Sequence, residues 1–437
     1  MQNRMFALAA LWMCLPAAAM LAQASYQPQS GKSGVDLGAM DTNVSPCTNF
    51  YQYACGGWMK KSPIPADQSR WARFNELAER NLQIEHDILE KASKASAHRS
   101  ATDQKIGDYF AACMDESGID RKGVEPIRPT LDSIAALHSK DQLGAELAHM
   151  RLLGTNALFN FFSSADLKNS TVNIAHIDQG GISLPDRDYY LKTDPRSVEL
   201  RKKYEAHVER MFELLAQSMH TSWDSKARAA EVLAFETALA EGSMDRVKRR
   251  NPESQDHPMT TKDLPGLTPD FEWTAYFADQ HTPAFTKVNV GNPEFFQKLA
   301  GTLQKSSLDD IKTYLTWRLL QSSVTALPQV FVQENFEFFG KTLNGQQELA
   351  PRWKRCVRAT DRALGDALGQ KFVEVAFGGA AKAKALQLVG EIEQSMKQDI
   401  ENATWMSDAT KRAAYAKLAE VSNKIGYPEK WRDYSSV

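Results

Sequence analysis

Four cysteines downstream of residue 40 could take part in disulfide chemistry, and the first two lie in the segment 45–69, SPCTNFYQYACGGWMKKSPIPADQS. Ser45 as an N-cap and Pro46 at the first helical position predict a helix that carries both Cys47 and Cys55. The residues predicted to share one face of this helix are Cys47, Phe50, Tyr51, Ala54 and Trp58. Cys55 would lie roughly 12 Å further along the axis, at about 1.5 Å per residue, whereas a disulfide needs Cα atoms within roughly 7 Å. If the segment is helical, each of the two cysteines needs a partner elsewhere.

The other two cysteines lie on apolar stripes of two predicted helices. The stripe around Cys113 comprises Ile106, Tyr109, Phe110, Cys113 and Met114, and the stripe around Cys356 includes Trp353, Val357 and Leu364. Because two such faces can meet in one core, a Cys113–Cys356 disulfide is the preferred pairing. In the chain-entropy model it would stabilise the fold by roughly 4–5 kcal/mol. Two unpaired core thiols are the alternative.

The nine histidines do not form a helical zinc motif. No two of them are three or four residues apart, and Glu85-His86 lacks a second histidine at the required spacing. The sequence also contains no Cys-x-x-Cys, no Gly-x-Ser-x-Gly elbow and no Walker loop. We therefore assign no catalytic and no metal-binding residue from spacing.

Two charged segments have simple structural interpretations. In the segment 184–190, LPDRDYY, Asp186 and Asp188 flank Arg187, which favours a salt-bridged turn over an acid–base pair. A hydrolase built on these two carboxylates is the least favoured interpretation. The basic cluster 246–250, RVKRR, is interpreted as a solvated helix end rather than a ligand site.

The elements that must position these residues are mostly amphipathic helices. Among the predicted helices are 70–94, 382–401 and 409–424, the last with Ser407 as its N-cap. The β-prone runs 156–162 and 171–177, separated by a polar segment, predict a small hairpin. The predicted fold class is therefore mainly α.

The amino-terminal residues have the pattern of a secretory signal peptide. Arg4 is followed by the apolar run 5–21 and by Ala22-Gln23-Ala24, a cleavage site of the A-x-A type. Its removal predicts a secreted or periplasmic protein in an oxidising compartment, without a membrane span in the mature chain. If the leader is retained, the protein is membrane-anchored. The formal net charge of −2 gives no reason to expect a nucleic acid or an anionic membrane as partner.

The segment 46–58, PCTNFYQYACGGW, resembles the start of the ectodomain in the neprilysin and endothelin-converting-enzyme family of zinc metallopeptidases. The family pattern there is Pro-Cys-x-x-Phe-x-x-Tyr-Ala-Cys-Gly-Gly-Trp. Further segments are similar to family motifs in the same order: ACMDE at 112–116, LPDRDYY at 184–190, RVKRRNP at 246–252, PRWKRC at 351–356, ALGQKFVEVAF at 367–377, WMSDATKRAAYAKL at 405–418 and KIGYPEKWRDYS at 424–435.

The resemblance implies two mostly helical lobes around a cavity: a thermolysin-like catalytic lobe that binds zinc, and a helical lid that limits access to short peptides. The family's His-Glu-x-x-His and its third zinc ligand come after the motif at 424–435, and this sequence ends at Val437. We therefore expect a large helical lid lobe plus the first segment of a catalytic lobe that is otherwise missing. We expect no cofactor in this chain and zinc in the intact enzyme. A catalytic C-terminal chain is a possible partner, and the intact enzyme would act on peptide substrates.

The resemblance also implies roles for individual residues. Cysteines matching Cys113 and Cys356 bond to each other in the family, whereas those matching Cys47 and Cys55 bond to the catalytic segment and are expected to be unpaired here. Arg70 aligns with a family arginine that anchors a substrate carboxylate, a task that suits a bidentate guanidinium. Neprilysin has an acidic residue where this chain has Asn75, so the resemblance gives no subsite preference for this chain. A surface arginine at a helix start is an equally good interpretation of Arg70.

The predicted domains are a signal peptide (1–24), a linker (25–40), a strap belonging to the catalytic lobe (41–69), the helical lid (70–430) and the start of the connection to the catalytic lobe (431–437). The predicted function is the N-terminal, non-catalytic part of a secreted zinc metalloendopeptidase that cleaves short peptides, inactive alone. The alternative is a stand-alone helical module that binds peptides or complements a separate catalytic chain. Helices without their partner lobe would expose apolar surface.

Overall fold

The computed structural model describes residues 36–94, 99–278, 280 and 282–437. The chain divides into two compact units, residues 1–63 and 64–437, and the described part of the first unit begins at residue 36. The predicted signal peptide, 1–24, and the predicted linker up to residue 35 lie outside the described residues.

The first unit contains a 3-10 turn, Leu37–Ala39, and one helix, α1, Phe50–Lys61. A glycine pair allows close packing between them, because a Cβ atom on Gly57 would lie 2.5 Å from the carbonyl oxygen of Met40. Beside this contact, Lys60 forms an ion pair of 2.8 Å with Asp41, and this hydrogen bond lowers the pKa of the Asp41 carboxyl. The segment before α1 is thus held on the helix by packing and by charge.

Helix α1 begins later than the sequence predicted. Ser45 does not cap it: its carbonyl oxygen accepts turn hydrogen bonds from Thr48 and Asn49, and the Asn49 side chain is the N-cap. Cys47 therefore lies in a turn outside the helix and only Cys55 lies within it, so the prediction that both share one helix is wrong. Cys47 also drops out of the predicted common face, and Phe50 and Tyr51 at the start of α1 are 68% and 66% exposed.

The second unit is mainly helical, and the predicted fold class is confirmed. Its helices are α2 Arg73–Ser93, α3 Ala101–Met114, α4 Glu116–Lys122, α5 Arg128–Ala135, α6 Leu143–Leu152, α7 Asp188–Leu191, α8 Pro195–Ser218, α9 Ser225–Gly242, α10 Trp273–Ala278, α11 Pro293–Lys305, α12 Leu308–Ser323, α13 Gln329–Asn335, α14 Arg352–Ala376, α15 Gly379–Asn402 and α16 Asp408–Ala419. A π-helix, Phe336–Leu343, continues directly from α13. Helices α2, α15 and α16 correspond to the three predicted ones. Ser407 caps α16 as predicted, but α16 ends at Ala419, five residues early.

A four-stranded sheet interrupts the helices. The strands are β1 Phe159–Ala165, β2 Asn173–Gln179, β3 Pro258–Thr260 and β4 Lys287–Val290, in the spatial order β1-β2-β4-β3. The predicted hairpin is present as the antiparallel pair β1–β2, with β1 three residues and β2 two residues later than predicted. Strand β4 then pairs in parallel with β2 and antiparallel with β3, an addition that the sequence did not predict.

Two apolar clusters hold the second unit together. The larger one lies between the sheet and the surrounding helices, and Tyr204, Trp317 and Phe295 are among its fully buried side chains. The smaller one joins α2, α3 and α14 and includes Leu89 and Cys356. The predicted stripe of α3 is only partly buried, because Tyr109 and Met114 are exposed. Within the described ranges, no helix combines the length and the apolar composition that a bilayer span requires.

Candidate functional site

Arg70 lies in the irregular segment 64–72 that leads into α2, and its side chain is exposed. Backbone hydrogen bonds fix this segment against the residues that precede α14. The carbonyl oxygen of Ala66 accepts the N–H groups of Gln347 at 2.9 Å and of Glu348 at 3.0 Å. The backbone that carries Arg70 is therefore fixed by contacts with residues that are far from it in the sequence.

A charged cluster strengthens this attachment. Lys354 of α14 forms ion pairs with Asp67 at 2.9 Å and with Glu79 of α2 at 2.6 Å, and the Gln68 amide donates to Glu79 at 3.1 Å. Burial by itself lowers the pKa of Lys354, but the hydrogen bonds to Glu79 and Asp67 outweigh it and raise that pKa. The ammonium group thus stays charged and links the segment carrying Arg70 to two helices.

The immediate surroundings of Arg70 are polar and open. Across the described ranges, Arg70 makes no hydrogen bond or ion pair of its own. Asn75 is half-buried in the first turn of α2. A guanidinium in this position has its donors available for a carboxylate. A surface arginine at a helix start has the same appearance, so carboxylate anchoring by Arg70 stays a prediction.

The structure contains a disulfide between Cys113 of α3 and Cys356 of α14. Their Cα atoms are 5.6 Å apart and their sequence separation is 243 residues. The bond lies beside the smaller apolar cluster, where the Arg352 side chain also donates to the Cys113 carbonyl oxygen at 2.9 Å. In the first unit, Cys47 is an exposed free thiol and Cys55 a half-buried one.

The LPDRDYY segment forms a salt-bridged turn as predicted, but its two aspartates form ion pairs with residues outside the segment and not with Arg187. Asp186 accepts the N–H of Asp188 and pairs with Arg246 at 3.2 Å, while Asp188 pairs with Lys192 at 3.1 Å. Arg187 instead donates to the carbonyl oxygen of Ser243 at 2.8 Å. The two carboxylates are thus committed to ion pairs and offer no acid–base pair.

The basic cluster 246–250 is exposed, as predicted, but it is not a helix end. It follows α9 as a loop with a 3-10 turn, Lys248–Arg250. Two of its arginines make ion pairs, Arg246 with Asp186 and Arg249 with Asp178, the latter at 2.9 Å. The cluster therefore connects the loop to the LPDRDYY turn and to β2.

The most strongly buried carboxyl among the described residues was not predicted from the sequence. Glu236 of α9 is fully buried and accepts hydrogen bonds from Tyr190 at 2.8 Å, Tyr204 at 2.7 Å and Ser183 at 2.5 Å. Burial raises its pKa, although Arg318 at 4.0 Å and the three hydroxyl groups act in the opposite direction. Both carboxylate oxygens of Glu236 are occupied by these hydrogen bonds, which join α7, α8 and α9. We therefore interpret the cluster as structural.

Among the residues that the structure describes, no three His, Cys, Asp or Glu side chains are grouped so as to hold a metal ion. A zinc site needs three or four such donors within about 2.0–2.3 Å of the ion. The described side chains therefore do not fit a catalytic zinc, and no chemical step is derived through one here.

The sequence matches the model of Peptidase family M13 over residues 46–428. Endothelin-converting enzyme 1 of Rattus norvegicus is 32% identical over 408 residues, covering 90% of this chain and 52% of that protein. Neprilysin-3 of Drosophila melanogaster is 29% identical over 416 residues, covering 90% of this chain and 52% of that protein. The chain spans about half the length of the curated relatives it matches.

Solved structures share the fold. The zinc metalloprotease ZMP1 of Mycobacterium tuberculosis, in complex with an inhibitor, superimposes with a TM-score of 0.85 at 32% identity and covers 92% of this chain and 60% of that one. PepO of Lactobacillus rhamnosis gives a TM-score of 0.77 at 22% identity, over 89% of this chain and 60% of that one, which is a likeness of fold alone.

Proposed function

The chain belongs to peptidase family M13, and on that premise we propose that it forms the N-terminal, non-catalytic part of a secreted zinc metalloendopeptidase that cleaves short peptides. The observation that carries the proposal is the family match over 46–428 in a chain that spans about half of its curated relatives. The proposed secreted or periplasmic location is supported by the Cys113–Cys356 disulfide, since such bonds persist in oxidising compartments.

In the whole enzyme, zinc bound by the catalytic lobe would polarise the scissile carbonyl and activate a water molecule. This chain would contribute substrate binding and the exclusion of large substrates. Its helical second unit admits only short peptides, and Arg70 holds the carboxylate of the substrate through paired N–H donors. The fixed segment 64–72 supports this role, because a positioned donor loses little freedom when it binds.

The test is the activity of the purified chain ending at Val437. We expect no hydrolysis of a quenched fluorescent peptide with added zinc, because the described residues lack the donors for the metal. A chelator-treated sample and a complete family enzyme serve as negative and positive controls. Zinc-dependent hydrolysis that the chelator abolishes would contradict the proposal.

A second candidate function is complementation of a separate catalytic chain, and the surface of α15 favours it. Leu388, Ile392 and Met396 follow at helical spacing on α15 and are 59%, 59% and 50% exposed. An apolar row of this kind is typical of a surface that another polypeptide covers. Thiol counting on the secreted protein separates the two candidates. A chain without such a partner shows free Cys47 and Cys55, whereas a complementing chain carries mixed disulfides at these positions.

A further inference from the structure

A cleft of about 290 Å³ lies between the π-helix and the first three turns of α14. Phe336 and Phe339 of the π-helix form part of its apolar wall. The opposite side carries four arginines from α14: Arg352, Arg355, Arg358 and Arg362. They follow at i, i+3, i+6 and i+10, so one face of the helix presents all four guanidinium groups.

Two of these arginines are already held in place. Arg352 donates to the Cys113 carbonyl oxygen at 2.9 Å and pairs with Glu116 at 3.4 Å, while Arg355 donates from Nε to the Ala350 carbonyl oxygen at 3.1 Å. Arg358 and Arg362, by contrast, have no hydrogen bond or ion pair within the part of the chain that the structure describes. Two anchored and two unengaged guanidinium groups thus border the same space.

The charge of the cleft is poorly balanced. No aspartate or glutamate is among its described lining residues, and Glu116, the partner of Arg352, is itself half-exposed. Burial lowers the pKa of Arg355, and the neighbouring Arg352 lowers it further against the opposing effect of Glu116. The amino-terminal end of α14, whose N-cap Pro351 supplies no side-chain cap, adds positive potential. An anion in the cleft would offset this accumulated charge.

The backbone of the opposite wall is also unusual. The eight residues Phe336–Leu343 are wound as a π-helix, a conformation that is rare and occurs often at functional sites. A Cβ atom on Gly340 would lie 2.3 Å from the Phe336 ring, so the glycine allows this winding. The cleft therefore combines a concave space open to solvent, an apolar wall and unpaired positive charge.

We propose that this cleft binds a small multivalent oxyanion, whose phosphate or carboxylate groups contact Arg355, Arg358 and Arg362. Guanidinium groups recognise such oxygens through two parallel N–H bonds, and three of them match a ligand with more than one acidic group. An apolar part of the ligand would rest on Phe336 and Phe339. The site does not include Arg70 or any zinc-binding group, so it is separate from the proposed peptidase function.

The experiment is calorimetric titration of the full chain with inorganic pyrophosphate and, in a second arm, with citrate. We expect saturable one-to-one binding and a higher midpoint of thermal unfolding with at least one probe. Tighter binding of pyrophosphate identifies a phosphate ligand, and tighter binding of citrate identifies a carboxylate ligand. The absence of saturable binding with both probes overturns the proposal.

The decisive variant is Arg358→Gln combined with Arg362→Gln, which leaves the anchored pair intact. Because both side chains are exposed, the fold should survive, as circular dichroism will show. We expect the affinity to fall by about tenfold to a hundredfold, the effect of losing charge-assisted hydrogen bonds. The matched control is Arg412→Gln on the exposed side of α16, which should bind as the wild type does. Unchanged affinity in the double variant, or an equal loss in the control, contradicts the assignment.

Discussion

At the scale of single residues, the Glu236 carboxyl joins parts of the chain that its sequence neighbourhood does not connect. It accepts hydroxyl hydrogen bonds from Tyr190 of α7 and Tyr204 of α8, which belong to the larger apolar cluster, and from the half-buried Ser183. Glu236 thereby holds α7 and α8 together, since a tyrosine of each helix donates a hydrogen bond to its carboxyl group. Removal of that acceptor leaves the buried hydroxyl groups of Tyr190 and Tyr204 unpaired, whereas the half-buried Ser183 hydroxyl still has Gln321 as an acceptor at 3.1 Å.

We predict that Glu236→Ala lowers the free energy of unfolding by about 3–5 kcal/mol, because two buried tyrosine hydroxyl groups lose their acceptor and Arg318 loses its charged neighbour. Glu236→Gln retains one acceptor oxygen and should lose clearly less. Tyr204→Phe removes a single donor and serves as the control, with an expected loss of about 1 kcal/mol. Urea denaturation followed by tryptophan fluorescence measures all three. A Glu236→Ala variant as stable as Tyr204→Phe would show that the cluster is not cooperative.

Arg70 gives the second prediction at this scale, in an enzyme in which a family catalytic segment completes this chain. Arg70→Gln should raise KM about tenfold for peptides that end in a free carboxylate, since a charge-assisted bidentate contact is lost. The same peptides with an amidated terminus should be unaffected. Arg73→Gln, three residues further on, is the matched control. Equal effects on both classes of peptide would favour the surface-arginine interpretation.

At the scale of elements, α2 and α14 meet around a carboxyl with an unusual pKa. Glu85 of α2 is half-buried, and burial, together with the charge of Asp361 on α14, raises its pKa to about 7. In the unfolded chain the pKa is near 4.5. Between these two values the folded state binds more protons, so stability falls as the pH rises through this window.

Glu85→Gln removes this titration. We expect the variant to gain about 1 kcal/mol over the wild type above pH 7, a figure reduced for the partial exposure of Glu85, and to show no gain below pH 4.5. Urea denaturation at pH 4, 6 and 8 measures the difference. Glu401→Gln, an exposed glutamate on α15, is the control and should follow the wild type at each pH. A constant difference between Glu85→Gln and the wild type across the three values would refute the assignment.

The disulfide gives the second prediction for the same elements. Cys113 and Cys356 join α3 to α14 across 243 residues, so the bond restricts a very long loop in the unfolded chain. Replacing both with serine should lower the free energy of unfolding by up to about 5 kcal/mol in the chain-entropy model. The comparison is with a Cys47→Ser, Cys55→Ser variant, whose thiols are free. If both double variants unfold at the same urea concentration, the bond contributes no stability.

At the scale of the whole molecule, we expect the exposed apolar row of α15 to determine whether the chain associates in solution. Of the residues in α15, Ile400 is buried, whereas Leu388, Ile392 and Met396 are exposed. Exposed apolar rows promote association with another polypeptide or with a second copy.

We predict that the purified chain self-associates in a concentration-dependent way. Leu388→Lys combined with Ile392→Lys should make it monomeric without changing the midpoint of thermal unfolding, because neither side chain is buried. Light scattering coupled to size-exclusion chromatography measures the mass. Val247→Lys, at an isolated exposed position, is the control and should leave association unchanged. A wild-type chain that is monomeric at every concentration contradicts the prediction.

Local patterns predicted the helices better than their ends. The apolar periodicity of α2 and the cap at Ser407 depend on residues within a few positions of each other, so the sequence alone identified them. The predicted start of α1 was wrong because Ser45 and Asn49 are both suitable capping residues, and it is the Asn49 side chain that accepts the N–H group of Gln52 in the first turn.

The sequence by itself thus determined the family, the mainly helical fold and the β1–β2 hairpin, because motifs and periodicity are local properties. Only the tertiary structure decided which distant residues meet. It paired β4 with β2, gave Glu236 its three donors, and placed the α14 arginines opposite the π-helix. Each of these contacts joins residues that are far apart in sequence. They form because burying apolar surface brings the helices together, and the polar groups then find partners that no short sequence pattern specifies.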